Sequence, residues 1–365
     1  MCTLAVEVGY LRSFLTLLLL VTSNVSAIEN SYQLILDNEL AARKAEIDTF
    51  WDGGKTGSFT GVNGASLGFK HFVKPQARAG IVIVNGRTES YLKYKELAFN
   101  LSQNGYSVYT YDHIGQGLSA RLTQDKQQGH IWDFDDYVSD LNRFYQQIVR
   151  KYDSEHLFLL GYSMGGTISS LYVQQYPTDF KALALVSPMH QPDTGLLGGA
   201  ICKGAGFTTK VRDLLIETFD LQPRYALGQG AFKFKSFAEN SPQLMTHSQI
   251  RFEQLQQLYT DNEAIRLGGA TSHWLANACA AAKQSINEAS EIQIPVLLLQ
   301  AEKDIAVTAR GQNKFCEQLA QSKNNQCEYT KPVIIKGAYH ELFIESDVYR
   351  IPALSHILNF FESRM

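Results

Sequence analysis

The sequence predicts an α/β protein in which a mostly parallel, eight-stranded sheet carries helices on both faces and a helical insertion interrupts the chain before the sheet is complete. Three observations predict it. From residue 80 to residue 187, short apolar runs alternate with stretches whose apolar residues recur at helical spacing, the pattern of strand–helix units feeding a parallel sheet. At 157–166 an apolar run passes into a helical stretch through Gly161-Tyr162-Ser163-Met164-Gly165, so strand and helix are joined by one sharp turn. After Pro188 the alternation stops for about a hundred residues, and strand-like runs resume only at 295–300.

The elements follow in order. Residues 31–50 place Leu36, Leu40 and Ile47 on one face and predict an amphipathic helix. Strands at 58–62 and 65–72 are joined by Asn63-Gly64, a pair that tolerates the positive φ of a tight hairpin. A strand at 80–84 leads to a helix at 90–103, with Tyr94, Leu97, Ala98 and Leu101 on one face and Gly105 placed to end it. Next come a strand at 106–111, a long loop, and a helix at 133–151 with acids in its first turn, where the helix dipole favours them. The strand at 157–161, the helix at 164–176 stopped by Pro177, and a strand at 182–187 complete the first part. Strands at 295–300 and 329–336 and a helix at 348–362 finish the sheet. The folded chain therefore divides into a core at 28–188, a helical cap at 189–291 and the rest of the core at 292–365.

At 365 residues, 45% hydrophobic and with a formal net charge of −3, the chain can bury a large core, and the absence of a basic run argues against nucleic acid as a partner. Residues 1–27 stand apart. A short apolar run at 14–21 behind Arg12, followed by Val25-Ser26-Ala27, reads as a secretory signal peptide cleaved after Ala27. An uncleaved anchor reaching back through Leu11 is the alternative. Either places the folded part outside the cytoplasm, periplasmic or membrane-associated. Cleavage removes Cys2 and leaves Cys202, Cys279, Cys316 and Cys327. Pairing by region joins Cys316 with Cys327 and Cys202 with Cys279; four buried thiols are the other reading. None has metal-ligand spacing, and no metal is expected.

The turn at Ser163 has the Gly-x-Ser-x-Gly spacing that holds a hydroxyl out at a strand's carboxyl end over a helix N-terminus. A serine hydroxyl is a poor nucleophile at neutral pH, so it needs a base and a carboxylate to orient that base. Asp304 lies just past the strand at 295–300, and His340 just past the last strand, both at the sheet edge that carries Ser163. Glu302 is the nearest rival to Asp304. His247, His273 and His356 fit worse, two lying in the cap and one in the final helix. Backbone N–H groups of Met164 and Arg87 are expected to receive an oxyanion, with Gly86 and Tyr162 bordering the substrate. The apolar, Gly-containing stretch with Leu196, Leu197 and Ile201 reads either as a mobile lip lining an acyl tunnel or as the buried start of a cap helix.

Four motifs together carry a resemblance: Asn85-Gly86-Arg87-Thr88-Glu89-Ser90, Asp112-His113-Ile114-Gly115-Gln116-Gly117-Leu118-Ser119, Gly161 to Gly166, and Gly337-Ala338-Tyr339-His340-Glu341. With Leu267-Gly268-Gly269-Ala270-Thr271 and Trp274, they resemble the monoacylglycerol lipase and lysophospholipase family of α/β hydrolases from about residue 55 onward. The resemblance implies a catalytic triad on Ser163, Asp304 and His340. It also implies an acyl ester of a single-chain lipid as substrate, met at a membrane surface, and no cofactor. Asn85, where many relatives carry His, and Ile114, where the bacterial lysophospholipases tend to carry Arg, depart from the pattern at positions that read as structural. A serine aminopeptidase of the same architecture and a hydrolase-like binding protein with an idle site are the rival readings.

Overall fold

The computed structural model describes residues 32–152, 156–176, 179–194, 202, 222–234, 245–322 and 325–365. The leader and the stretch with Leu196, Leu197 and Ile201 lie outside them. Eight strands form one sheet: β1 (Lys55–Thr60), β2 (Ser66–Phe72), β3 (Ala79–Val84), β4 (Tyr106–Tyr111), β5 (Leu157–Tyr162), β6 (Phe180–Val186), β7 (Val296–Ala301) and β8 (Val333–Ile335), in the order β1-β2-β4-β3-β5-β6-β7-β8. Only β2 runs against the others. The α-helices are α1 (Lys44–Asp52), α2 (Lys95–Gln103), α3 (Asp135–Gln147), α4 (Met164–Gln175), α5 (Gln249–Asp261), α6 (Ser272–Asn287), α7 (Ala309–Leu319) and α8 (Asp347–Glu362).

The central strands are apolar throughout because both their faces are covered. Val82, Leu159, Leu185 and Leu298 point to one face, into a core with Leu141 and Phe144 of α3, Ile168 and Leu171 of α4, and Phe315 of α7. Their neighbours Ile81, Ile83, Phe158 and Leu160 point to the other face, against Leu97 and Leu101 of α2 and Leu354, Ile357 and Phe361 of α8. That period of two, with a helix layer on each side, fixes the register of every parallel strand.

Several expected elements differ. The helix at 31–50 is instead an extended lead, a 3-10 turn at Asp37–Glu39, and α1. The peptide groups of the lead are used elsewhere: Ile35 N–H donates to Asn100 Oδ1 (3.1 Å), and its carbonyl accepts from Arg251 (3.2 Å) and Arg350 (3.3 Å). Tertiary partners thus override helical periodicity. The hairpin strands end at Thr60 and Ser66, but Asn63 and Gly64 form the tight turn with φ of 54° and 76°. The last strand is cut to three residues behind Pro332, which has no N–H to give the ladder. Within the segment assigned to the cap, α6 is not wholly an insertion. Its Ala278, Ala281 and Ile286 belong to the main core, where small side chains let it pack on α4 and α7, so the insertion rejoins the core near Thr271 rather than Glu291.

A buried ionic knot seats α5. Arg251 reaches Asp37 (2.6 Å), Glu96 of α2 (2.9 Å) and Asp347 of α8 (3.1 Å), and Arg350 shares Glu96 (2.9 Å). Beside it, Tyr32 OH donates to Asn359 Oδ1 (2.6 Å), and Asp37 N–H donates to Asp347 Oδ2 (2.8 Å). Removing one partner of such a knot leaves uncompensated charge in the interior. Arg251→Met is therefore expected to lower unfolding stability in urea by about 3–5 kcal/mol; a loss indistinguishable from zero would show that the acids find other partners. The structure also joins Cys316 to Cys327 and Cys202 to Cys279, with Cα–Cα separations of 5.5 and 5.2 Å, the second tying the start of the inserted segment to α6.

Candidate active site

β5 runs into α4 through Ser163, whose backbone takes φ 51°, ψ −117°. The turn is enforced by close approach on both sides. A Cβ at Gly165 would lie 2.0 Å from the Val84 carbonyl oxygen at the end of β3, and one at Gly161 would lie 2.7 Å from Ser169 Oγ. Only glycine fits, and the serine is held by Ser163 N–H to Val186 O (3.0 Å) and by its own carbonyl accepting from Gly166 and Met189 N–H (both 2.9 Å).

The loops after β7 and β8 bring Asp304 and His340 to the same edge. Ser163 Oγ–H donates to His340 Nε2 (3.0 Å), and His340 Nδ1–H donates to Asp304 Oδ2 (2.7 Å). Asp304 also forms its own turn, since Oδ1 accepts from Ala306 N–H (2.8 Å) and Val307 N–H (3.1 Å). Glu302 points elsewhere and accepts from Gly337 N–H (2.8 Å). Burial pulls the His340 pKa down, but the charge and hydrogen bond of Asp304, with Glu341, outweigh it and hold the pKa above the ordinary histidine value. The imidazole is thus a stronger base than a free one.

Met164 opens α4, so its N–H lies among the free donors of that helix's first turn. The loop after β3 brings Arg87 to the same place. Gly86 N–H is spent on Glu89 Oε2 (2.6 Å), whereas Arg87 N–H donates to no partner among the described residues. Sequence reasoning missed the supports of this loop. Gln116 Nε2 donates to Gly86 O (2.7 Å) and to Glu89 O (3.1 Å), and buried Asp112 accepts from Ser90 Oγ (2.9 Å), Asn85 Nδ2 (3.3 Å) and Leu118 N–H (2.7 Å). Asn85 and Ile114, the two departures from the family pattern, are both buried, one bonded to Asp112 and the other in the main core. Lys93 also went unread: its ammonium bridges Glu89 and Glu341 and lies 5.0 Å from the centre of the Tyr162 ring. Burial opposes that charge, but the two carboxylates hold Lys93 protonated.

Ser163 and His340 open into a cavity of about 800 Å³, within the usual range for small-molecule sites. Much of its wall is apolar, from Met189, Ala226, Met245, Trp274, Leu275 and Val307. Gly86 packs against Tyr162, which lines the cavity. Among the described residues, no three of His, Cys, Asp and Glu gather as a metal site.

Sheet order and elbow together define an α/β hydrolase. The family model described as "Serine aminopeptidase, S33" matches residues 75–347. Lysophospholipase L2 of Escherichia coli (strain K12) is 37% identical over 316 residues, covering 86% of this chain and 88% of that protein. Probable lysophospholipase L2 of Haemophilus influenzae is 31% identical over 325 residues, covering 86% and 95%. The chain belongs to this family of α/β hydrolases. Its fold is shared by a soluble variant of monoglyceride lipase from Saccharomyces cerevisiae, with a TM-score of 0.64 at 17% identity over 86% of this chain and 95% of that one.

Proposed function

We propose that this protein is a serine hydrolase that cleaves the acyl ester of single-chain lipids, lysophospholipids or monoacylglycerols, through an acyl-enzyme on Ser163. One observation carries the reading: the unbroken relay Ser163–His340–Asp304 opens into a large, mostly apolar cavity. His340 Nε2 takes the hydroxyl proton as Oγ attacks the ester carbonyl. The N–H groups of Met164 and Arg87 receive the oxyanion, a contribution of roughly 2.7–4 kcal/mol per donor in comparable sites. His340, now an imidazolium steadied by Asp304, gives the proton to the departing alcohol. Water, deprotonated by the same histidine, then releases the fatty acid. The relatives' names support the lipid class.

A peptidase reading draws on the description of the family model. It would need a free carboxylate to receive a peptide amino terminus; of the three acids at the cavity wall, Glu89 and Glu341 are both engaged by Lys93, and Asp193 is not free either. Assay of purified protein against lysophospholipids, monoacylglycerols, nitrophenyl butyrate and aminoacyl amides separates the two: turnover of the amides alone would overturn the lipid reading.

The compartment is part of the same proposal. The apolar run behind Arg12 and the small residues before Ile28 support export, followed by action at a membrane surface. No helix of the described residues is long and apolar enough to cross a membrane. Protein recovered from its native host is expected to have an intact mass beginning at Ile28; a full-length mass in the membrane fraction would mean an anchor.

A further inference from the structure

Among the described residues no acid answers the guanidinium of Arg87, which burial desolvates. It stacks 4.8 Å from the centre of the Trp274 ring, and Nη2 donates to the Gly268 carbonyl (3.1 Å). Nε is buried without a hydrogen-bond partner. A guanidinium has five N–H donors, and this one bond is all that its donors make among the described residues. Burial lowers its pKa to about 10, which still leaves it charged at neutral pH. A buried charge without a counter-ion is costly, and folded proteins rarely keep one that has no use.

Its position is fixed from several sides. A Cβ at Gly129 would lie 2.5 Å from Nη2, so that backbone presses directly on the guanidinium. The Gly129 segment is itself pinned, its N–H donating to Gly269 O (3.0 Å) and its carbonyl accepting from Thr271 N–H (2.9 Å). Trp274 is anchored through Nε1–H to Tyr137 OH (3.2 Å). The side chain is thus preorganised, with its entropy already lost before any ligand arrives. Arg87 is also the one Arg or Lys among the described residues that line the catalytic cavity. Lys93, nearby, is already bracketed by Glu89 and Glu341.

From this geometry we infer that the Arg87 side chain is the receptor for the phosphate of the substrate's head group and makes the cavity select single-chain phospholipids over neutral monoacylglycerols. The inference rests on the ester-hydrolase reading and deepens it. An acyl chain carries no charge, so the anion must sit on the alcohol side of the scissile ester. A phosphodiester supplies acceptor oxygens that a planar guanidinium can engage in pairs, which an ammonium cannot. A monoacylglycerol offers only hydroxyls there.

Binding can be measured without turnover. The probes are a 1-O-alkyl glycerophosphoethanolamine and the matching 1-O-alkylglycerol, neither of which has an ester to cleave, titrated by calorimetry below their aggregation concentrations. The wild-type protein is expected to bind the phosphate-bearing ether at least tenfold more tightly, and Arg87→Gln to erase that preference while Arg87→Lys keeps part of it. In parallel, the ratio of kcat/KM on 1-palmitoyl lysophosphatidylethanolamine to that on 1-palmitoylglycerol should fall at least tenfold in Arg87→Gln, mainly through KM. Equal weakening of both ethers, or equal loss on both esters, would overturn the inference and make Arg87 a structural clamp on Trp274. A phosphate preference that depends on Arg87 in a protein that hydrolyses neither ester would uphold the inference and count against the ester-hydrolase reading instead.

Discussion

Ser163→Ala is expected to abolish ester hydrolysis, with kcat falling on the order of 10⁶-fold as when other serine hydrolases lose the nucleophile. The substitution removes a single atom. The strained backbone at φ 51° already carries a Cβ, and the hydrogen bonds that hold the turn are made by the Ser163 main chain, not by Oγ. The side chain's one hydrogen bond among the described residues is to His340, at the wall of a cavity that water can enter. The melting temperature should therefore be unchanged, so lost activity reports lost chemistry. Turnover of nitrophenyl butyrate above about 1% of wild type, well beyond the residual rate that binding and the oxyanion donors alone sustain, would place the nucleophile elsewhere.

Asp304→Asn is expected to lower kcat by roughly 10⁴-fold, and the structure says why. Oδ1 of Asp304 accepts from two backbone N–H groups, so the carbonyl oxygen of an asparagine would remain there and its NH₂ would face His340. The NH₂ would then donate to Nδ1 and drive the ring proton to Nε2. That nitrogen could no longer accept from Ser163. The pH profile gives a second reading. His340 works as a neutral base with its pKa raised by Asp304, so wild-type kcat/KM should fall as pH drops through a value above the ordinary histidine pKa, near 6.5. Without the aspartate charge the acid limb of the residual activity should move to lower pH. An unmoved limb with near-normal turnover would transfer the orienting role to Glu302.

How much of this was legible depended on where the physics is local. The central strands could be read because burial on both faces leaves a continuous apolar run, and Ser163 because its turn demands glycines two residues away on either side. Asp304 and His340 were read from the chain order Ser, acid, His together with sheet topology, since each lies just past a later strand, with Glu302 left as a rival to Asp304. What could not be read was set by distant partners. The lead before α1 has helical periodicity, yet Asn100, Arg251 and Arg350 claim its peptide groups. The tail of the expected cap proved to be a core helix because small alanines let it approach α4 and α7, a fact that composition alone does not distinguish from insertion. Lys93 and Glu341 are 248 residues apart, so no local pattern marks them as one ion cluster. Arg87 was assigned for its backbone, and nothing in the sequence says that its side chain lies against Trp274 with no carboxylate partner among the described residues.

The seam along α8 also sets the order in which the molecule can be built. Tyr32 and Asn359 are 327 residues apart, and Ile35 and Arg350 are 315. Closing such long loops costs entropy before any contact returns it, so these pairings are expected to form late in folding. The C-terminal helix supplies Asp347 and Arg350 to the knot that seats α5, and the loop just before it supplies His340. A nascent chain therefore has its nucleophile elbow long before it has its base or the seat of its cap. A product cut short before β8 would carry Ser163 without His340, a hydroxyl with no base to take its proton.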